Sequence, residues 1–225
     1  MTSSLVGSEM CIRDRYCIFT KGNRYIYGVG NFFINLVDDN NKAVLPLVML
    51  DSNMYGDGGW FYSGFDCIHK DQTEWCMNKL TSLKNEDENI KAMAFFHMPV
   101  REFKEAYERM KLGDNDVIYK HGSVGEKNDH FGISRFKGIF FNSAVDNGVI
   151  KWMFCGHDHL NTLSLVYKGI QLTYGMSIDY LGYKGIEKQY TQRGGTLITR
   201  KKDGSVSVKM VPLTSVVSTK VSGVK

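Results

Sequence analysis

VIKWMFCGHDHL, residues 149–160, is the stretch from which the fold of this chain is read. Val149, Ile150, Trp152, Met153, Phe154 and Cys155 make a short, nearly unbroken apolar run of the kind expected of a strand buried on both faces. A polar cluster, Gly156-His157-Asp158-His159, begins where such a strand would end. In open α/β sheets ligands gather beyond the carboxyl ends of the strands, so imidazoles placed there suit chemistry better than packing. Gly156 lets the chain turn without a Cβ clash. If the turn stays extended, His157 and His159 project towards one side, and neutral imidazole is the commonest transition-metal ligand. The pattern alone also describes two surface histidines in a loop; its position after an apolar strand favours metal.

A second stretch shares this design. Residues 92–96, AMAFF, form another apolar run, and it ends in His97-Met98-Pro99. Pro99 cannot continue a ladder but suits the first turn of a helix, which predicts a helix over residues 100–111. A lone histidine at a strand end is ordinarily structural, and the Gly156 to His159 cluster turns His97 into a third candidate ligand.

Moving outward, residues 25–29, 32–37 and 44–50 read as strands, with Asp38, Asp39, Asn40 and Asn41 as a turn. Asp51 closes the third of these, where a carboxylate satisfies loop amides more often than it binds metal. Residues 54–65, rich in glycine and aromatics, read as a loop that either shapes substrate access or packs. Asp71 with Glu74 gives a capping-box start to a helix ending by Asn85, and Ile90 opens the strand that delivers His97. A strand, a helix and a further strand make α/β crossovers and a mostly parallel sheet with helices outside.

Residues 112–131 form the longest irregular stretch, and its histidines, His121 and His130, read as exposed loop residues. A second helix over residues 139–147 is closed by Asn147-Gly148. Residues 163–167 and 170–174 read as a hairpin, as do residues 196–200 and 206–211. Tyr180, Tyr183 and Tyr190 lie in a glycine-spaced loop that either flanks the site or is partly buried. Residues 213–225 read as a frayed tail.

Composition narrows the function class. The chain has 225 residues, 43% hydrophobic and 23% charged, which suits one soluble globular domain. Its net charge of +4 is scattered, and no basic stripe points to nucleic acid. No segment is apolar for the length of a membrane span. The five cysteines include Cys11; the others, Cys17, Cys67, Cys76 and Cys155, show no zinc-ribbon spacing, and Cys76 and Cys155 read as buried thiols. Residues 1–15 are set aside from the fold. LVGSEMCIRDR, residues 5–15, back-translates into a transposase adapter of sequencing libraries, so the native reading frame is expected to be cut near Tyr16. The compartment stays open for the same reason.

The order Leu50-Asp51-Ser52, then Phe96-His97-Met98-Pro99, then Gly156-His157-Asp158-His159 resembles the C-terminal half of the calcineurin-like metallophosphoesterases, in their purple-acid-phosphatase-like branch. The likeness covers roughly residues 25–200. It implies an α/β fold: the C-terminal part of a four-layer αββα sandwich, with mixed sheets and outer helices. Residues 16–212 would then be a phosphoesterase domain truncated at its N-terminus. It also implies two divalent or trivalent metal ions, iron, zinc or manganese, with His97 and His157 on one and His159 on the other. The family blocks D-x-H, G-D-x-x-D and G-N-H-[DE] do not occur in the chain, so no catalytic residue is assigned, and Asn31 in Gly30-Asn31-Phe32 lacks the following histidine.

The activity implied is hydrolysis of a phosphate ester, on a small molecule or a phosphoprotein, by a metal-activated hydroxide. The alternative is a catalytically inactive domain of the same fold with a structural or binding role.

Overall fold

The computed structural model describes residues 17–57, 63–179, 182 and 193–216; residues 1–15 and the three tyrosines at 180, 183 and 190 lie outside them. Seven strands form one mixed sheet. In chain order these are β1 (Phe32–Val37), β2 (Ala43–Met49), β5 (Ala92–Phe95), β6 (Val117–His121), β7 (Ile150–Cys155), β8 (Ser164–Tyr167) and β9 (Ile170–Tyr174). Their spatial order is β1-β2-β5-β7-β9-β8-β6. The four central strands β2, β5, β7 and β9 run parallel, while β1, β8 and β6 pair antiparallel at the flanks. Two small hairpins stand apart from it: β3 (Tyr55–Asp57) with β4 (Ser63–Phe65), and β10 (Gly194–Arg200) with β11 (Val206–Pro212).

The helices are α1 (Lys70–Glu86), α2 (Glu102–Lys111), α3 (Phe140–Asn147) and a single turn, α4 (Leu213–Val216). None among the described residues is long and apolar enough to cross a membrane.

The central strands are buried on both faces, as their apolar runs predict. One face of β5 and β7 gives Ala92, Ala94, Met153 and Cys155 to the main core, against Leu80 of α1, Phe103 of α2 and Phe141 of α3. Alanine at 92 and 94 leaves the room that large side chains on the helices fill. The other face gives Met93, Phe95, Trp152 and Phe154 to a smaller core, covered by Ile198, Val206 and Val208 of the β10–β11 hairpin. A register shift opposite Lys151 lets Ile150 share the helix side with Met153. The result is a mixed α/β arrangement with helices on one side of the large sheet and a second β layer on the other. Gly148, at φ 79°, closes α3 as the sequence predicts, and Lys84 donates to the Asn147 carbonyl at 2.8 Å.

Several expectations need correction. Residues 25–29 form turns, not a strand: Gly28 and Gly30 take φ of 81° and 99°, and a Cβ on Gly28 would collide with the Asp51 carboxylate. Backbone freedom at the glycines overrides the β propensity of Tyr25, Tyr27 and Val29. Helix α1 begins at Lys70 with His69 at its N-cap; the Gln72 Oε1 accepts the His69 amide at 2.8 Å. Asp71 instead accepts the Tyr27 amide at 2.7 Å. The loop at 54–65 contains the short β3–β4 pairing. The irregular stretch at 112–131 contains β6, so His121 is a strand residue whose two ring nitrogens are buried. His130 is exposed, as expected.

Candidate functional site

Because β2, β5, β7 and β9 are parallel neighbours, the segments leaving their carboxyl ends emerge along one edge of the sheet. Asp51 and Ser52 follow β2, His97 follows β5, Gly156 to His159 follow β7, and Met176 to Asp179 follow β9. Backbone hydrogen bonds continue past the strands and tie these ends together. Leu50 donates to Phe95 at 2.9 Å, Gly156 to His97 at 3.0 Å and Gly175 to Cys155 at 2.8 Å. Ser52, fully buried, accepts the His97 and Met98 amides on its hydroxyl at 3.1 and 2.7 Å, which sets the direction in which His97 leaves its strand.

The three predicted histidines line one cavity of about 300 Å³. The His97 and His157 rings meet edge to face with centroids 5.4 Å apart, and Phe65 packs edge-on against His157 at 4.5 Å. His159 Nδ1 pairs with Asp179 Oδ2 at 2.7 Å, an interaction that sequence reading missed because Asp179 sits in no motif. A Cβ on Gly182 would fall onto that same pair, so glycine is required where the chain passes over it.

The turn after β7 is tighter than the extended one expected. Asp158 N–H donates to the Gly156 carbonyl at 2.9 Å, with His157 between them at a left-handed φ of 71°. The bend falls on His157 rather than on Gly156. What Gly156 supplies is space, since a Cβ there would press on His97 Nδ1 at 3.3 Å.

Electrostatics favour neutral imidazoles. Partial burial lowers the pKa of His97, and His159 adds to this against an opposing pull from Asp158. Burial likewise lowers that of His157, Asp158 opposing and the other histidines assisting. Deprotonated imidazoles carry the lone pair that a cation needs. In type and position, then, the three histidines fit the role of metal ligands, but they form no closed cage. Among the described residues no group of three or more His, Cys, Asp or Glu side chains is close enough together to hold a metal ion.

Asp158 lines the same cavity, with its carboxylate bonded to Tyr174 and Gly132. Asp51 is occupied by the Val29 and Asn53 amides at 2.7 and 2.8 Å, the structural role its position suggested. Asn31 is a buried node, its Oδ1 accepting the Asp51 amide at 3.1 Å and Gln72 Nε2 at 2.8 Å.

A further polar centre went unread in the sequence. His69 Nε2 lies 2.9 and 3.0 Å from the two oxygens of buried Asp66, and Tyr27 stacks on its ring at 3.9 Å and 7°. The spacing of Asp66 and His69 across a helix start is the only sequence trace of it.

No family model matches the chain. Three curated proteins of Arabidopsis thaliana are similar to it. "Probable inactive purple acid phosphatase 29" is 29% identical over 172 residues, 71% of this chain and 41% of that protein. "Probable inactive purple acid phosphatase 28" is 24% identical over 181 residues, 73% of this chain and 40% of its own length. "Probable inactive purple acid phosphatase 14" is 23% identical over 150 residues, 63% and 35% respectively. The chain thus spans between 35% and 41% of the length of these relatives.

Proposed function

We propose, from the premise that this chain is a purple-acid-phosphatase-like relative in the calcineurin-like metallophosphoesterase family, that His97, His157 and His159 are the imidazole ligands of a metal-dependent phosphoesterase site. The observation that carries the reading is the convergence at one sheet edge of imidazoles from two parallel strands, His97 and His157 with ring centroids 5.4 Å apart. Iron, zinc or manganese, when bound, would neutralise phosphate oxygens and acidify water. The chain's own part is to hold neutral imidazoles rigidly. Ser52 fixes the departure of His97, the turn at Gly156 fixes His157, and the pairing of Asp179 with Nδ1 orients His159 and leaves its Nε2 directed away from that carboxylate. The substrate class proposed is a phosphate ester, on a small molecule or a phosphoprotein.

A second reading has its own support. The relatives are named inactive, and the described residues contain no closed metal group. On that reading the domain keeps the fold as a binding or structural unit.

Hydrolysis of an aryl phosphate by the full-length protein, with iron, zinc or manganese supplied, separates the two. Turnover that falls sharply in His157→Ala supports the enzyme. Full turnover by that variant at saturating metal refutes the role of His157, and no turnover with any of the metals favours the inactive domain.

A further inference from the structure

We propose that Asp158 is a positioning residue for His157, acting through the backbone of Gly132. This rests on the reading of His157 as a metal ligand. Asp158 sits between two histidines that line the cavity, yet it is 6% exposed and its carboxylate is spent elsewhere. Oδ2 accepts the Tyr174 hydroxyl at 2.7 Å, and the Gly132 amide donates to Oδ1 and Oδ2 at 3.0 and 3.1 Å.

The amide that Asp158 grips belongs to the wall against which His157 rests. A Cβ on Gly132 would land on the Cδ2 and Nε2 atoms of the His157 ring. With Phe65 at 4.5 Å and His97 at 5.4 Å, the ring is contacted from three directions. Of these, the Gly132 wall is the one set by a charged side chain. An ionised carboxylate accepting both a hydroxyl and an amide makes bonds about twice as strong as neutral ones, so the wall is stiff. It is also braced along its length. Asn161 Oδ1 accepts the Gly125 and Glu126 amides at 3.1 and 3.2 Å, and its Nδ2 donates to the His130 carbonyl at 3.1 Å.

Residues 123–132 are therefore strapped to the turn that carries the histidines, and Asp158 is the strap nearest the ring. Stiffness matters here because His157 holds a left-handed backbone. Without the wall, the ring and the turn relax together.

The test uses the isotope-labelled chain and Zn²⁺ as the probe. The wild-type chain should show a nuclear Overhauser contact between the Gly132 α-protons and the His157 ring proton on Cδ2. Asp158→Ala should lose it and bind Zn²⁺ about tenfold to a hundredfold more weakly, the range for groups that orient a metal ligand. Asp158→Asn, which can still accept the Gly132 amide, should keep the contact and most of the affinity. Gly132→Ala, whose added Cβ would press on the His157 ring and also on Asp158 Oδ1 at 2.8 Å, should weaken Zn²⁺ comparably and covers the case in which Asp158→Ala does not fold.

Asp158→Ala or Gly132→Ala with unchanged affinity overturns the proposal, as does a lowered melting temperature in Asp158→Ala with the contact intact. A wild-type chain with no Zn²⁺ affinity would instead sink the ligand reading of His157. The loss or survival of the Gly132 contact in Asp158→Ala then decides the role of Asp158 by itself.

Discussion

His157 faces opposing demands from its backbone and its side chain. A non-glycine residue at φ 71° carries a strain of roughly 1–2 kcal/mol, which the surroundings must over-determine. Glycine would relieve the strain and delete the imidazole; alanine would delete the imidazole and keep the strain. His157→Gly is therefore expected to be more stable than His157→Ala by about 1 kcal/mol in urea denaturation. Equal stabilities would mean the turn relaxes once the ring is gone.

The same partial burial that strains nothing electrically at neutral pH becomes costly in acid. His97, His121 and His157 all have pKa values lowered from 6.5, in each case chiefly by burial. Below 6.5 the unfolded chain binds protons that the folded chain resists, so stability falls with falling pH. It levels off only once the lowered folded values are passed. Metal-free chain should thus lose stability as the pH falls through 6.5 and below, and His97→Gln with His157→Gln should flatten that slope. A double variant with an undiminished slope would assign the acid loss to other groups.

At the scale of elements, Ser52 shows how a strand end aims a side chain. Its hydroxyl oxygen accepts two amides, those of His97 and Met98, inside the fold. Ser52→Ala leaves both donors unmet and should cost roughly 1–3 kcal/mol, with displaced His97 ring resonances in the NMR spectrum; an unshifted ring would show that β5 alone sets its direction.

This contact also marks the limit of sequence reading. Strands β5 and β7, their terminal histidines and the helix stop at Gly148 were legible because each is a local pattern: an apolar run, a polar cluster, an αL glycine. Strand β6 was not, because three of its five residues, Ile118, Tyr119 and Lys120, are exposed and Gly122 follows at once. The partners that orient the site were equally hidden. Ser52 lies 45 residues from His97, and Asp179 lies 20 from His159, so only the folded chain brings them together.

For the whole molecule, the site exists only when the parallel sheet is assembled. His97 belongs to the end of β5 and His157 and His159 to that of β7, with α2, β6 and α3 between them in sequence. An unfolded chain holds His97 far from His157 and His159, so a cation that bridges the two strand ends binds the folded state alone and stabilises it by mass action. At a free concentration a hundred times its dissociation constant that amounts to about 2.7 kcal/mol, several degrees in melting temperature for a domain of this size. Zn²⁺ is the suitable probe, being free of redox chemistry and well matched to imidazole. Wild-type chain should therefore melt higher as Zn²⁺ is raised, and the rise should shrink in His97→Ala and in His157→Ala alike, because each removes one arm of a shared contact between strands. If Zn²⁺ raised the melting temperature of His97→Ala as much as that of wild type, the cation would be held by the turn after β7 alone. The two strands would then share an edge without sharing a ligand.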